Sequence, residues 1–331
     1  MIETPFTRQV GIKTPIICGA MYPCSNPELI AAVSDAGGIG IVQPISLTYV
    51  YRRDFREGLK LIRKLTPNPV GMNALIEKSS KTYQERMKRW IDIALEEGIR
   101  FFVTSLGNPR WVVERVHAVG GIVYHDVTEK KWAAKGLDAG VDGLIAVNNQ
   151  AGGHAGSKSA GDLFKELNEF GVPLICAGGI STETDFIIAL HNGYSGVQMG
   201  TRFIATPECR ASLAYKNAIV HANEQDIVLS ERVTGVPVSV IHTPYVARMG
   251  LRSGPLARWM LKGRRTKHLM RTVYALKSLW QLKYASLDNA SAQEYWQAGK
   301  SVAGITSIEP AGDIVKSFST AYRDANSARL T

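Results

Sequence analysis

Along the first two-thirds of the chain, short runs of consecutive apolar residues alternate with longer stretches whose apolar positions recur every three or four residues. The short runs cover 15–20, 39–42, 69–73, 101–104, 121–125, 142–147, 173–176 and 196–199. Amphipathic stretches follow them at 28–36, 51–65, 83–96, 110–118, 130–139, 161–170, 183–190 and 211–222. Continuously apolar strands are expected where both faces are covered, as in parallel sheets flanked by helices. Eight such units in about 220 residues predict a (β/α)8 TIM barrel. An open doubly wound sheet shares the rhythm, and period alone does not exclude it.

Beyond residue 223 the rhythm changes. The stretch 224–248 reads as irregular, with Gly235, Pro237 and Pro244. A helix is then predicted in which Leu269, Val273, Leu276 and Trp280 share one face. Gly299, Gly304, Pro310 and Gly312 punctuate the end of the chain before a closing helix. The expected organisation is a barrel over 1–223, a helical basic appendage packed on it over 224–298, and a C-terminal segment over 299–331 that returns to the barrel.

Charge sharpens this division. The 331 residues carry a net +10, yet from Arg248 to Lys283 there are ten Lys/Arg and no Asp/Glu, leaving 29 basic against 29 acidic residues elsewhere. A neutral body with one basic segment is not the footprint of a general nucleic-acid binder. Trp259, Tyr274 and Trp280 interleave that segment, and the plainer reading is an amphipathic helix with a solvated basic face. No apolar run reaches the length of a membrane span, and the N-terminus lacks the layout of a secretory signal. Cys18, Cys24, Cys176 and Cys209 are scattered without a CxxC, so a reduced, cytoplasmic protein is expected.

In a parallel barrel the chemistry sits in the loops after the strands. Two of these, Ala177-Gly178-Gly179-Ile180 and Gln198-Met199-Gly200-Thr201, follow the seventh and eighth runs. Glycines there let backbone N–H groups converge on a phosphate, although tight turns alone would also explain them. A third loop, Gln150-Ala151-Gly152-Gly153-His154, sets a histidine in a glycine-rich strand end, where it can exchange protons near neutrality or simply be satisfied by backbone. His125, at another strand end, is a lesser candidate. Gly37-Gly38-Ile39-Gly40 follows a helix and precedes a strand, the reverse of a dinucleotide fingerprint. No P-loop, HExxH, GxSxG or metal-spaced His/Cys cluster occurs, so no metal is expected.

Taken together with Thr14-Pro15-Ile16-Ile17, Gly19-Ala20-Met21, Gly71-Met72-Asn73 and Gly299-Lys300-Ser301, these motifs resemble the nitronate monooxygenase (2-nitropropane dioxygenase) family, which includes flavin-containing enoyl-ACP reductases and related quinone reductases. The resemblance implies FMN as cofactor. It implies Ala20, Met21 and Asn73 against the isoalloxazine, and Gly178, Gly179, Gly200 and Thr201 at the phosphate. Gln198, Gln150 and Gly153 would lie close by, with His154 as the active-site histidine. Two departures stand out: Gln150 replaces a glutamate common among relatives, and Asp126 stands where some have a basic or neutral residue. Oxidation of a nitronate with O2 is the first activity implied. An NAD(P)H-dependent reductase of enoyl thioesters or quinones is the second, with an acidic carrier protein or the nicotinamide phosphates drawn to the basic segment. A flavin-binding regulatory or scaffold module is the non-enzymatic alternative.

Overall fold

The computed structural model describes residues 1–77, 80–254, 266–287 and 294–330. Eight parallel strands close on themselves: β1 (Ile16–Cys18), β2 (Ile39–Val42), β3 (Val70–Ile76), β4 (Phe101–Leu106), β5 (Ile122–Val127), β6 (Gly143–Val147), β7 (Leu174–Ala177) and β8 (Gly196–Met199). Pairing of Ile17 with Gln198 shuts the ring between β1 and β8. The fold is therefore the closed (β/α)8 barrel that the pattern predicts, and the open sheet is excluded.

The alternation of side chains along each strand produces two separate cores. One fills the barrel and contains Ile17, Ile39, Ile41, Phe101, Val103, Tyr124, Ile145, Ile175 and Ala177. The larger one lies between strands and helices and takes the opposite parity, with Cys18, Met72, Phe102, Leu144 and Val197. Both faces are apolar, so no polar period survives in the strand sequences.

The N-terminal helix α1 (Pro5–Val10), capped by Thr4, is only six residues long, too short to show a helical period in the sequence. It closes the amino end of the barrel: Phe6 lies 5.6 Å from Phe101 and 5.5 Å from Tyr124, ring to ring. Around the barrel run α2 (Pro27–Asp35), α3 (Phe55–Leu65), α4 (Lys81–Glu96), α5 (Arg110–His117), α6 (Lys130–Asp138), α7 (Ala160–Leu167) and α8 (Glu183–His191). A four-residue helix, α9 (Thr201–Ile204), follows β8 directly, and α10 (Leu213–His221) packs beyond it.

The stretch 224–248, read as irregular, contains an antiparallel hairpin of β9 (Ile227–Ser230) and β10 (Val238–Ile241), then α11 (Pro244–Met249). Each strand has only four residues, and the intervening turn carries Gly235 at φ 74°, which masked the period. The predicted helix is present as α12 (Thr266–Leu287). The side chains of Leu269, Val273 and Leu276, and Trp259 with much of the basic segment, lie outside the described residues. Val238, Val240, Val246, Leu282 and Tyr295 form a small core of their own beneath this region. The closing helix α13 (Ala311–Leu330) packs against both α8 and α2. It occupies the place in the outer ring that 211–222 is expected to fill, and Phe318 meets Phe186 there at 5.6 Å. Among the described residues no helix is long and apolar enough to cross a membrane.

Candidate active site at the barrel mouth

Strand register decides which polar side chains reach the mouth, because residues paired in a parallel ladder point to the same face. Asn73 pairs with Val103, Gln198 with Ile17 and Ala177, and Asp126 with Ile145. All four partners belong to the barrel-filling core, so Asn73, Gln198 and Asp126 project into the lumen at its carboxyl end. Ala20 packs on the same core. Gly19 is glycine for contact: a Cβ there would stand 3.1 Å from Gln198 Cγ. Met21, one residue on, brings its sulfur to the edge of Gly200.

The rim is built from backbone. Asn148, fully buried, donates from Nδ2 to the Gly178 carbonyl (2.9 Å) and accepts at Oδ1 from the Gln150 N–H (2.8 Å). It thereby ties the loop after β6 to the loop after β7. Gly178 and Gly179 adopt φ of 113° and 80°, the left-handed region that side chains rarely enter. A Cβ on Gly179 would also fall 1.9 Å from Gln150 Oε1. These two glycines are thus required by the fold itself, whatever binds. Gly200 differs, with φ −116° and only the Met21 side chain near the position of a Cβ, its Sδ at 3.3 Å. Thr201 Oγ1 accepts from the Gly299 N–H at 3.0 Å, and the Lys300 N–H donates to the Gln150 carbonyl at 2.9 Å. The C-terminal glycine patch therefore buttresses the loop that carries His154.

His154 stands on this loop with its ring reached by solvent, yet surrounding protein desolvates it enough to lower its pKa below the ordinary 6.5. Such a bowl holds an imidazole neutral and able to accept a proton at physiological pH. The preceding Gly153 bridges Ser239 of β10, whose N–H donates to the Gly153 carbonyl at 2.7 Å. The β9–β10 hairpin is what fixes this loop.

His125 does not face the mouth. It has the opposite parity to Asp126, lies against Gly136 of α6, and sits 2.8 Å from Thr104 Oγ1. Burial pushes its pKa down to about 4, as for a neutral histidine in the strand–helix core.

Asp126 carries the sharpest electrostatic feature. Its Oδ1 is buried without a hydrogen-bond partner, and burial raises the carboxyl to about 7. No neighbouring charge contributes to that rise. An orphaned acid at the floor of an open mouth marks a place where a polar ligand atom would complete the bonding. Asp126 departs from the family pattern in sequence, but only register and burial give it this position.

The geometry supplies a barrel mouth lined by polar side chains, a backbone cradle on one side, a histidine held neutral by desolvation and an acid whose pKa burial raises to about 7. Residues 3–320 match the nitronate monooxygenase family. A relative in Rhodococcus jostii, the (3aS,4S,5R,7aS)-5-hydroxy-7a-methyl-1-oxo-octahydro-1H-indene-4-carboxyl-CoA dehydrogenase, is 28% identical over 74% of this chain and 67% of its own. A probable nitronate monooxygenase of Staphylococcus saprophyticus is 28% identical over 75% of this chain and 81% of its own. FabK from Thermotoga maritima superposes with a TM-score of 0.80 at 25% identity, covering 100% of this chain and 99% of that one. With nearly its whole length matched, the protein is an oxidoreductase that belongs to the nitronate monooxygenase family.

Proposed function

We propose that this protein is an FMN-dependent oxidoreductase that oxidises alkyl nitronates with O2 as electron acceptor. The family supports a flavin, and the observation that carries the reading is the backbone cradle facing a lumen of polar side chains. At Gly200 a Cβ would meet no backbone, only the flexible Met21 side chain, and Gly200 with Gly178, Gly179 and Thr201 would hold the phosphate. Ala20, Met21, Asn73 and Gln198 would line the ring system, with Gln150 and Gly153 beside it. When bound, FMN supplies the two-electron chemistry, and the protein supplies position and surroundings.

His154 acts on the substrate side. Neutral by desolvation, it removes the α-proton of a nitroalkane or, with a preformed nitronate, donates a hydrogen bond to a nitro oxygen. Gln150, neutral where a glutamate is common, leaves His154 as the base.

A second reading is favoured by two particular observations. The Rhodococcus jostii relative is named for a carboxyl-CoA substrate. Asp126, its carboxyl raised by burial to about 7, also puts an acid that retains a proton up to near neutrality in the mouth, suited to donate to a carbonyl-type acceptor. That reading is an NAD(P)H-dependent reductase of enoyl thioesters or quinones. Anaerobic mixing separates the two. Rapid bleaching of the flavin band by a nitronate and not by NADH or NADPH is expected; bleaching by a nicotinamide alone overturns the nitronate reading. Acid-released cofactor should co-elute with FMN, and FAD or no flavin would refute the cofactor assignment.

A further inference from the structure

A second cleft, of about 530 Å³, opens on the same carboxyl face as the barrel mouth, between the turn after β2 and helix α12. Tyr49, Arg52 and Arg53 line it from the turn, and Trp280, Lys283 and Tyr284 from the helix. Its size falls within the roughly 300–1,000 Å³ of small-molecule sites.

The chemistry of this wall is unusual for a surface. Tyr49, Trp280 and Tyr284 leave 46%, 48% and 44% of their area exposed, side by side, although apolar rings of this size are normally covered. Trp280 and Tyr284 lie 4.7 Å apart between centroids, and Lys283 Nζ sits 4.9 Å over the Tyr49 ring. Arg52, Arg53 and Lys283 make no ion pair among the described residues. Among the described residues that line it, the acid is Asp54, engaged as the N-cap of α3 and accepting from the Arg56 and Glu57 N–H groups. Arg52 moreover holds φ 51°, a conformation costing about 1 kcal/mol for a residue with a side chain.

Three cations without an ion pair among the described residues, set among three half-exposed rings, match one ligand chemistry. An aromatic base has a π-face for Trp or Tyr, and a diphosphate takes the planar fork of arginine and the point charge of lysine. We propose that this cleft binds the adenosine diphosphate moiety of a nucleotide whose reactive end reaches the barrel mouth. The wall and the mouth are joined directly. Tyr22 Oη donates to the Leu279 carbonyl (2.6 Å), so the residue after Met21 is bonded to the residue before Trp280. Tyr51 Oη likewise donates to the Pro23 carbonyl (2.9 Å). The proposal deepens the enoyl-thioester and nicotinamide reading above and rests on it, because a free nitronate needs no such anchor. Coenzyme A and NAD(P)H share the moiety, and the experiment distinguishes them.

Calorimetric titration of the full-length, flavin-loaded protein with ADP, coenzyme A, NADH and NADPH tests the assignment. ADP binding is expected, with tighter binding by either coenzyme A or a nicotinamide dinucleotide, whichever is the source. Trp280→Ala and the double change Arg52→Ala/Arg53→Ala should each weaken it by about tenfold or more, while the flavin spectrum stays as it was. Arg53→Glu, a charge reversal on an exposed side chain, repeats the test without touching the helix. Absence of binding by all four at millimolar concentration overturns the proposal, as does binding that these variants leave unchanged. Capture of an acidic carrier protein with no nucleotide binding overturns it too. Because binding is read by heat, failure of the cleft leaves flavin content and nitronate turnover to be judged separately.

Discussion

Ser239 donates its backbone N–H to the Gly153 carbonyl at 2.7 Å, so the residue before His154 is clamped by a strand far downstream in the chain. On its other edge β10 pairs with β9, and Ser239 also accepts at its carbonyl from the Ala298 N–H. Ser239→Pro removes the donor to Gly153 and leaves that acceptor in place. Turnover should fall by an order of magnitude or more, since displacement of a positioned group by about 1 Å can cost ~10²-fold. Flavin content should hold. Steady-state kinetics with hydrogen exchange at 152–156 checks this, and unchanged kcat would remove the hairpin from the account.

His154→Ala should lose about 10²–10⁴-fold in rate, the usual contribution of a proton-transferring group. The residue is exposed on its loop, so the thermal midpoint should move little. The loss should be larger for a neutral nitroalkane than for its preformed nitronate, since only the former requires α-proton removal. A base works when neutral, and desolvation lowers the His154 pKa. The acidic limb of the wild-type rate should therefore lie below pH 6.5, with activity falling as pH drops through it. Normal turnover by the alanine variant would end the catalytic assignment.

Gly200→Ala and Gly179→Ala should fail differently. At Gly200 the negative φ accepts alanine, and Met21 Sδ at 3.3 Å can shift, so the apoprotein should keep its stability while FMN binds about tenfold or more weakly. At Gly179 a Cβ meets Gln150 Oε1 in a left-handed backbone, and the protein should lose about 1–2 kcal/mol before any ligand is considered. Fluorescence titration of released FMN beside denaturant melts of the apoprotein distinguishes them. Wild-type FMN affinity in Gly200→Ala would move the phosphate elsewhere.

Asp126 makes a stability prediction with a definite sign. Its carboxyl ionises near 3.8 when unfolded and near 7 when folded, so between those values the native state holds the extra proton. Stability from this group is full below about pH 3.8 and declines as pH rises towards 7, by a few kcal/mol. Asp126→Asn removes the titration and should make the protein more stable than wild type at pH 8. Denaturant unfolding at pH 5 and pH 8 measures it; equal pH slopes in the two proteins would contradict the buried, unpartnered carboxyl.

Much of this architecture is written locally. Both faces of each strand are buried, so apolar runs such as Ile39–Val42 are continuous and stand out from the amphipathic helices between them. The helix α3 declares itself through Asp54 as N-cap and Phe55, Leu59 and Ile62 at helical spacing. Glycine-rich strand ends at 152–153, 178–179 and 200 likewise mark the loops of the carboxyl face before any coordinates are known. What short-range pattern could not carry was whatever depends on distant partners. The four-residue strands of the 227–241 hairpin are too short to show a period, and the clamp on Gly153 exists only because β10 folds back across the loop. Helix α13, not 211–222, completes the outer ring because Phe318 finds Phe186 across the chain. His125 and Asp126 are neighbours in sequence and equally polar. The sequence by itself determined the eight strand–helix units and the glycine-rich loops at the strand ends. Only closure, by fixing register and therefore which parity points inward, turned Asp126 into the lumen and His125 away from it.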